Sequence, residues 1–318
     1  MTRILAADIG GTNSRFGYFV LAADNTLSLK EVSWLTTGSG GSLGGQLAKL
    51  YALGFPLPAS ETDIAVFAVA GPVEEGKRCK LPLAGWEIDL DLLAADFPLP
   101  RAMLINDFYA QALAVTGPPG QEARLILDGS PGPQSPVAVI GAGTGLGKAL
   151  LITGDREKAQ VIASEGGHAD FPFGSGREQE YQTYLMNRRG EKYLSGNTVV
   201  SGPGLSYLYE FLNGEELSPS QVVKKLPEYP ETHAWFTRFY ARLCRNYVLD
   251  TLALGGLYIA GGVAARAPEL LTHPAFAEEF RHSPTMGHLL NKVPVRLIND
   301  ENSGLWGAAI QAHRLIVN

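Results

Sequence analysis

The sequence is short of cysteine, has no long apolar run and carries no block of like charge. Its two cysteines, Cys79 and Cys244, are far apart and lack CxxC or Cys/His neighbours. A disulfide framework and a zinc site are therefore both disfavoured, and a reducing cytoplasm is the expected compartment. No apolar stretch approaches the roughly 20 residues that a membrane-spanning helix needs. Asp8 interrupts the only N-terminal hydrophobic run, so the start does not read as a secretory leader. Lys and Arg total 26 against 32 for Asp and Glu, a net charge of −6 without long single-sign stretches. Neither nucleic acid nor an anionic membrane is implied as a partner. What is present is a globular composition, 45% hydrophobic and 18% charged. A chain of 318 residues exceeds the size at which one core usually stops growing, so two lobes are expected.

Short apolar runs alternate with glycine-rich turns and helical patterns, which predicts an α/β fold. Strands are expected near 3–8, 14–21, 63–70 and 102–105, followed by a helix over about 107–116. The Gly/Pro-rich stretch 117–135 reads as a crossing between lobes or a long surface loop. That places a small lobe at 1–117, completed by a closing helix at 303–318, and a large lobe at 118–302. In the large lobe Val137-Ala138-Val139-Ile140 predicts a buried strand, and Lys148-Ala149-Leu150-Leu151-Ile152 predicts its return. Helical patterns dominate from 174 to 254. Phe236, Phe239, Tyr240, Leu243 and Tyr247 fall at helical spacing as core residues. A late strand at 256–260 ends in Gly261-Gly262.

The chemistry begins at Asp8-Ile9-Gly10-Gly11-Thr12-Asn13-Ser14-Arg15, between an apolar strand and an alternating one. Two glycines let the backbone turn sharply and bring its N–H groups close to an anion. Thr12 and Asn13 add short polar donors, and Asp8 places a carboxylate where nucleotide-bound Mg²⁺ would need one. An ordinary Gly-Gly hairpin has the same pattern. The turn Gly141-Ala142-Gly143-Thr144-Gly145-Leu146-Gly147 repeats the arrangement. A P-loop would need glycine at Ala142 and Ser or Thr at Ala149, and a dinucleotide fingerprint would open a helix where a strand is expected here. A second phosphate-binding hairpin remains. Gly261-Gly262, between a strand and a helix, suits either close approach of a flat ring such as adenine or simple capping.

Asn106-Asp107 stands at the carboxyl end of a strand, where open α/β sheets bind ligands. Asp107 is placed either to cap the following helix or to accept a hydroxyl proton during phosphoryl transfer. Glu165-Gly166-Gly167-His168 offers an acceptor and an imidazole around two glycines, suited to a polyol and too sparse for a metal.

Taken with Ser201-Gly202-Pro203-Gly204-Leu205 and Ile259-Ala260-Gly261-Gly262, these motifs occur through the whole chain in the order in which they occur in bacterial glucokinases, which the sequence resembles. The resemblance implies the two-lobed actin-like, ribonuclease H-like ATPase fold, with nucleotide and sugar bound in a cleft between lobes that close on the sugar. It implies ATP-dependent phosphorylation of the 6-hydroxyl of glucose, with Asp107 as general base. Asn106, Asp107, Glu165, His168 and Asn197 would contact the sugar. Ala7, Asp8, Ile9, Gly10, Gly11, Thr12 and Asn13 would hold the nucleotide together with Gly143, Thr144, Gly145, Gly261 and Gly262, with Asp8 acting on Mg²⁺ directly or through water. One position departs from the family pattern. A glutamate usually stands four residues before Ser-Gly-Pro-Gly, and here that residue is Asn197, which loses charge and reach.

The Cys-rich zinc motif of the related ROK sugar kinases and repressors is missing, as is a helix-turn-helix module at the start. Three rivals stay open. One is a kinase for another hexose or an amino sugar, and another is a sugar- or nucleotide-sensing protein without turnover. The third is a chaperone or filament ATPase of the same superfamily. The oligomeric state is open too, with an exposed apolar helix face available for a homodimer.

Overall fold

In the computed structural model, which describes residues 1–81, 84–152 and 159–317, the first apolar run forms β1 (Thr2–Ile9) and doubles back as β2 (Asn13–Leu21). The two strands pair antiparallel, with Asp8 opposite Arg15 and Ile9 opposite Ser14. The chain continues through β3 (Leu27–Thr36) and β4 (Ile64–Val69), the short strands β5 (Val73–Glu74), β6 (Arg78–Leu81) and β7 (Trp86–Asp89), then β8 (Ala102–Asn106). Five of these form a sheet in the order β3-β2-β1-β4-β8, and β5-β6-β7 form a small antiparallel sheet of their own.

Side-chain alternation divides the sheet's two faces. Ile4 and Ala6 point to a cluster shared with Val66, Ala110, Leu305, Ala308 and Ala312, whereas Leu5, Ala7 and Ile9 join Leu47, Leu50, Phe67 and Trp86 on the other side. β4 is buried along its whole length, as a central strand covered on both faces should be. The closing helix Ser303–Val317 covers one face, so residues from the far end of the chain complete the N-terminal unit. Contacts divide the chain into Met1–Glu122 with Asp300–Asn318, and Ala123–Asn299. Asn318, the last residue of the expected closing helix, and residues 82–83 and 153–158 within the expected lobes lie outside the described residues.

The second unit contains β9 (Arg124–Leu127), β10 (Val137–Ala142), β11 (Leu146–Ile152), β12 (Gln160–Ser164), β13 (Gly256–Ala260) and β14 (Val295–Leu297). Their order is β12-β11-β10-β13-β14-β9. Apart from β9, this repeats the first sheet: an antiparallel meander of three strands whose first strand, β10, pairs in parallel with β13, which pairs in parallel with β14. The helix Pro230–Thr251 lies in the core of this unit, and Phe236, Phe239, Tyr240, Leu243 and Tyr247 are all buried, as their spacing predicts.

The stretch 117–135 is not a featureless loop. It contains a turn of helix at Pro118–Gln121 and the strand β9, which pairs antiparallel with β14. Pro at the first helical position needs no N–H partner there, so the prolines that suggested a loop instead start a helix. The helix expected over 107–116 runs from Asp107 to Ala114.

Candidate active site

The β1–β2 turn is closed by the Gly10 amide donating to the Asn13 carbonyl at 3.0 Å. It is braced from the end of β3. The buried Thr37 hydroxyl donates to the Gly10 carbonyl at 2.8 Å and lies 2.9 Å from the Ser14 hydroxyl, and the Thr37 amide donates to the Thr12 carbonyl. Gln46 in turn donates from Nε2 to the carbonyls of Thr36 and Thr37. The Ala7 and Ile9 side chains are fully buried in the core, so those residues can offer a nucleotide only backbone. Thr12 and Asn13 are exposed.

Asp8 is the next-to-last residue of β1, with its side chain 15% exposed, and Arg15 Nη1 lies 3.1 Å from its Oδ2. The same Nη1 donates to the Glu301 carbonyl at 2.7 Å, and the guanidinium stacks 4.1 Å from the centre of the Trp34 ring. Burial pushes the Asp8 carboxyl above its usual range, and the charge and hydrogen bond of Arg15 only partly oppose that. The N-terminus of the closing helix also approaches the carboxylate, on the side where the helix dipole favours an anion. A Cβ added to Gly304 would stand 2.6 Å from Asp8 Oδ2. If the substrates are those the sequence resemblance implies, Gly304→Ala is expected to displace the carboxylate and lower kcat/KM for MgATP by about tenfold, measured at saturating glucose.

At the end of β8, Asn106 and Asp107 divide roles that the sequence left joined. Asn106 is the N-cap: its Oδ1 accepts from the amides of Phe108 at 2.9 Å and Tyr109 at 3.1 Å, and its Nδ2 donates to the Gly71 carbonyl at 3.3 Å. Asp107 is the first residue of the helix and is not its cap, which corrects the capping alternative weighed for it. Its Oδ1 accepts from the Phe108 amide at 2.9 Å, and the residue is half-buried. Asp107 thus has a carboxylate fixed at the carboxyl end of a strand with the cap already supplied by its neighbour.

In the second unit, β10 and β11 form the other glycine hairpin, with Gly141 opposite Gly147. The Gly143 amide donates to the Gly145 carbonyl at 2.7 Å, and a Cβ at Gly143 would meet no atom within 4 Å, so this side of the turn is open to a ligand. Thr144 is exposed. The Ala142 amide donates to the Tyr240 hydroxyl at 3.1 Å, which gives that core tyrosine a polar task beside the turn. Gly261 has φ of +89° and a Cβ there would come within 2.7 Å of the Ala142 carbonyl, so glycine is required by packing against β10 whatever else binds there. Gly262 opens the helix Gly262–Arg266. Lys148 lies within β11, opposite Ile140 and Ser164, with its Nζ 5.2 Å from the Tyr247 ring, and burial lowers its pKa. It is a strand residue, and the rejection of a P-loop stands.

Glu165 precedes and His168 ends a single turn of 3-10 helix, both side chains more than half exposed, with Nε2 and Oε2 3.9 Å apart. They present a donor and acceptor pair to solvent. Gly167 lies so close to the Leu146 carbonyl that no side chain fits there. Asn197 Oδ1 accepts from the Leu146 amide at 2.6 Å, which commits that oxygen to the hairpin.

Among the described residues no cluster of three or more His, Cys, Asp or Glu side chains could hold a metal ion by itself. A lone carboxylate fits Mg²⁺ that arrives on nucleotide phosphates, because Mg²⁺ keeps several waters and uses one or two carboxylates. Asp8 meets that requirement.

A family profile described as Glucokinase matches residues 5–315. The chain belongs to the glucokinase family. It is similar to the glucokinase of Nostoc punctiforme, 31% identical over 349 aligned positions that cover 99% of this chain and all of that one. Among solved structures, a glucokinase from an Antarctic psychrotroph superposes with a TM-score of 0.78 at 30% identity, covering 98% of this chain and 99% of the other. A glucokinase from Balamuthia mandrillaris in complex with glucose shares the fold, with a TM-score of 0.81 at 19% identity over 98% and 94% of the two chains. The fold is thus the two-lobed, actin-like α/β fold of sugar kinases, and the activity is that of a hexose kinase of the glucokinase family, which implies ATP as donor. Arg15, Thr37, Gln46 and Tyr240 join the site through contacts that the fold creates. Arg15 alone carried a signal, as the last residue of the opening motif.

Proposed function

We propose that this chain transfers the γ-phosphoryl group of MgATP to the 6-hydroxyl of glucose, with Asp107 as the general base. The observation that carries the reading is the division of labour at the end of β8. Asn106 takes the helix cap, and the Asp107 carboxylate is held at the end of a parallel strand. A carboxylate so placed accepts the hydroxyl proton as the oxygen attacks phosphorus. The glycine turns at 10–13 and 143–147 supply backbone for the phosphates, while Glu165 and His168 orient sugar hydroxyls. Asp8, fixed by Arg15, would hold Mg²⁺ directly or through its waters. Bound there, Mg²⁺ neutralises charge on the β- and γ-phosphates.

The two cysteines are buried, one in each unit. Their separation rules out a shared Cys-rich zinc motif and supports placing the chain outside the ROK group, while the fold supports placing it in the actin, Hsp70 and hexokinase superfamily; we take the compartment to be the cytoplasm. Among the described residues no helix is long and apolar enough to cross a membrane.

Coupled measurement of ADP release should show turnover that depends on glucose and stops when Mg²⁺ is chelated. A matrix of sugars and phosphoryl donors, compared by kcat/KM, tests glucose and ATP as the preferred pair. ATP hydrolysis indifferent to sugar would reject the proposal in favour of a chaperone-like ATPase, and tight sugar binding without ADP formation would reject it in favour of a sensor.

A further inference from the structure

The segment 194–202 ties together the two functional loops of the second unit. On one side it holds the strip just after His168: the Gly196 amide donates to the Ala169 carbonyl at 3.0 Å, the Phe171 amide donates to the Leu194 carbonyl at 2.8 Å, and Asp170 and Ser195 form an isolated bridge. On the other side it holds the glycine hairpin. The Gly202 amide donates to the Gly143 carbonyl at 2.8 Å, and Asn197 accepts from the Leu146 amide at 2.6 Å. The Asn197 carboxamide fills the space beside Gly145 so closely that a Cβ on that glycine would overlap its Oδ1.

We propose that Asn197 is a positioning residue for the phosphate end of the site, clasping the 143–147 turn through its side-chain oxygen. The physical argument starts from the turn itself. Three of the residues from 143 to 147 are glycines, which lose more backbone freedom on ordering than other residues do. Inside the turn, the Gly143 amide is satisfied by the Gly145 carbonyl. The Leu146 amide is satisfied from outside, by Asn197, 51 residues further along the chain. Removing that acceptor leaves a donor at the edge of the turn without its partner and gives the glycines room to rearrange. Ser195, which caps the short helix Gly196–Val199 by accepting from the Thr198 amide at 3.2 Å, keeps Asn197 in place.

The functional consequence rests on the kinase reading above, and the position is one at which sequence resemblance suggests a sugar contact. The two roles separate experimentally. With Asn197→Ala, KM for MgATP is expected to rise and kcat to fall, together lowering kcat/KM for ATP about tenfold, while KM for glucose stays within about twofold of the parent. Asn197→Asp keeps an acceptor at the same reach and is expected to restore ATP parameters to within about twofold. Hydrogen exchange gives a readout independent of turnover: the Leu146 amide should exchange faster in the alanine variant and at the parental rate in the aspartate variant. Should Asn197→Ala not fold, Asn197→Ser, whose hydroxyl is too short to reach, carries the same expectation. A raised KM for glucose with unchanged ATP constants, or an unchanged Leu146 exchange rate in a folded alanine or serine variant, overturns the proposal. If the parent phosphorylates no sugar, the kinase reading fails, and the exchange experiment still decides the clasp.

Discussion

Asp107→Asn is expected to slow phosphoryl transfer by roughly 10²–10⁴-fold, the range over which a positioned general base contributes. The substitution preserves shape and retains an oxygen able to accept from the Phe108 amide, the 2.9 Å hydrogen bond that holds the side chain. The helix cap belongs to Asn106, so the fold at the end of β8 should be undisturbed. The loss should therefore fall on kcat, with KM for glucose and for ATP changed little, and the melting temperature should match the parent. Such a pattern marks an interaction made in the transition state and not in the ground state. If the variant keeps most of the parental kcat, another group takes the proton and Asp107 serves only to bind the sugar.

Replacing Arg242 with Leu is expected to destabilise the second unit by roughly 3–5 kcal/mol, because it leaves two largely buried carboxylates without their common partner. Arg242 donates from Nη1 and Nη2 to Glu178 at 2.6 and 3.0 Å, and from Nε to Glu279 at 3.0 Å, with all three side chains less than one-fifth exposed. Arg245 also reaches Glu279 at 2.9 Å, so Glu178 suffers the greater loss. Burial pushes the Glu178 carboxyl upward. Hydrogen bonds from Arg242 and the Gly174 amide, with the charge of Arg242, outweigh that and leave it below its ordinary value of 4.5.

A depressed carboxyl contributes stability above the pKa of the unfolded chain and loses it as pH falls through the folded value. The difference between parent and variant should thus be full at neutral pH and should shrink below about pH 4.5 as Glu178 protonates. Urea unfolding followed through Trp235, the one tryptophan between residues 123 and 299, reports on this unit. A penalty below about 1 kcal/mol, the level of an exposed pair, would falsify the assignment of the cluster as a buried hub.

The two glycine hairpins were legible in the sequence because each sets paired or spaced glycines between runs of apolar residues. Short or exposed strands were harder to read. β3 carries Lys30 and Glu31 and is exposed along much of its length, so its pattern resembles a surface loop. β9 lies among Gly-Pro dipeptides, and β5, β6, β7 and β14 are two to four residues long, too short to establish a period. At the site, the strand-end position of Asn106-Asp107 could be read from pattern. The choice of cap could not, since both residue types cap helices and they are adjacent. Thr37 and Asn197 hold the turns across 27 and 51 residues of sequence, and Gln46 acts only through Thr36 and Thr37, so no local pattern shows which turn each supports.

The N-terminal unit is finished by the last helix of the chain, and that has a temporal side. As the polypeptide leaves the ribosome, β1, β2 and β4 emerge early, yet Leu305, Ala308 and Ala312, which cover one face of their sheet, emerge only after the whole of the second unit. Residues 123–299 can close among themselves in the interval, since all their strands are then available. An incomplete chain therefore carries Asp8 without Gly304 against its carboxylate and without the Glu301 carbonyl that anchors Arg15. The end of β1 that carries Asp8 is assembled only after residues 300–305 have emerged, so a nascent chain that stops short of them lacks the contacts that hold the Asp8–Arg15 pair in place.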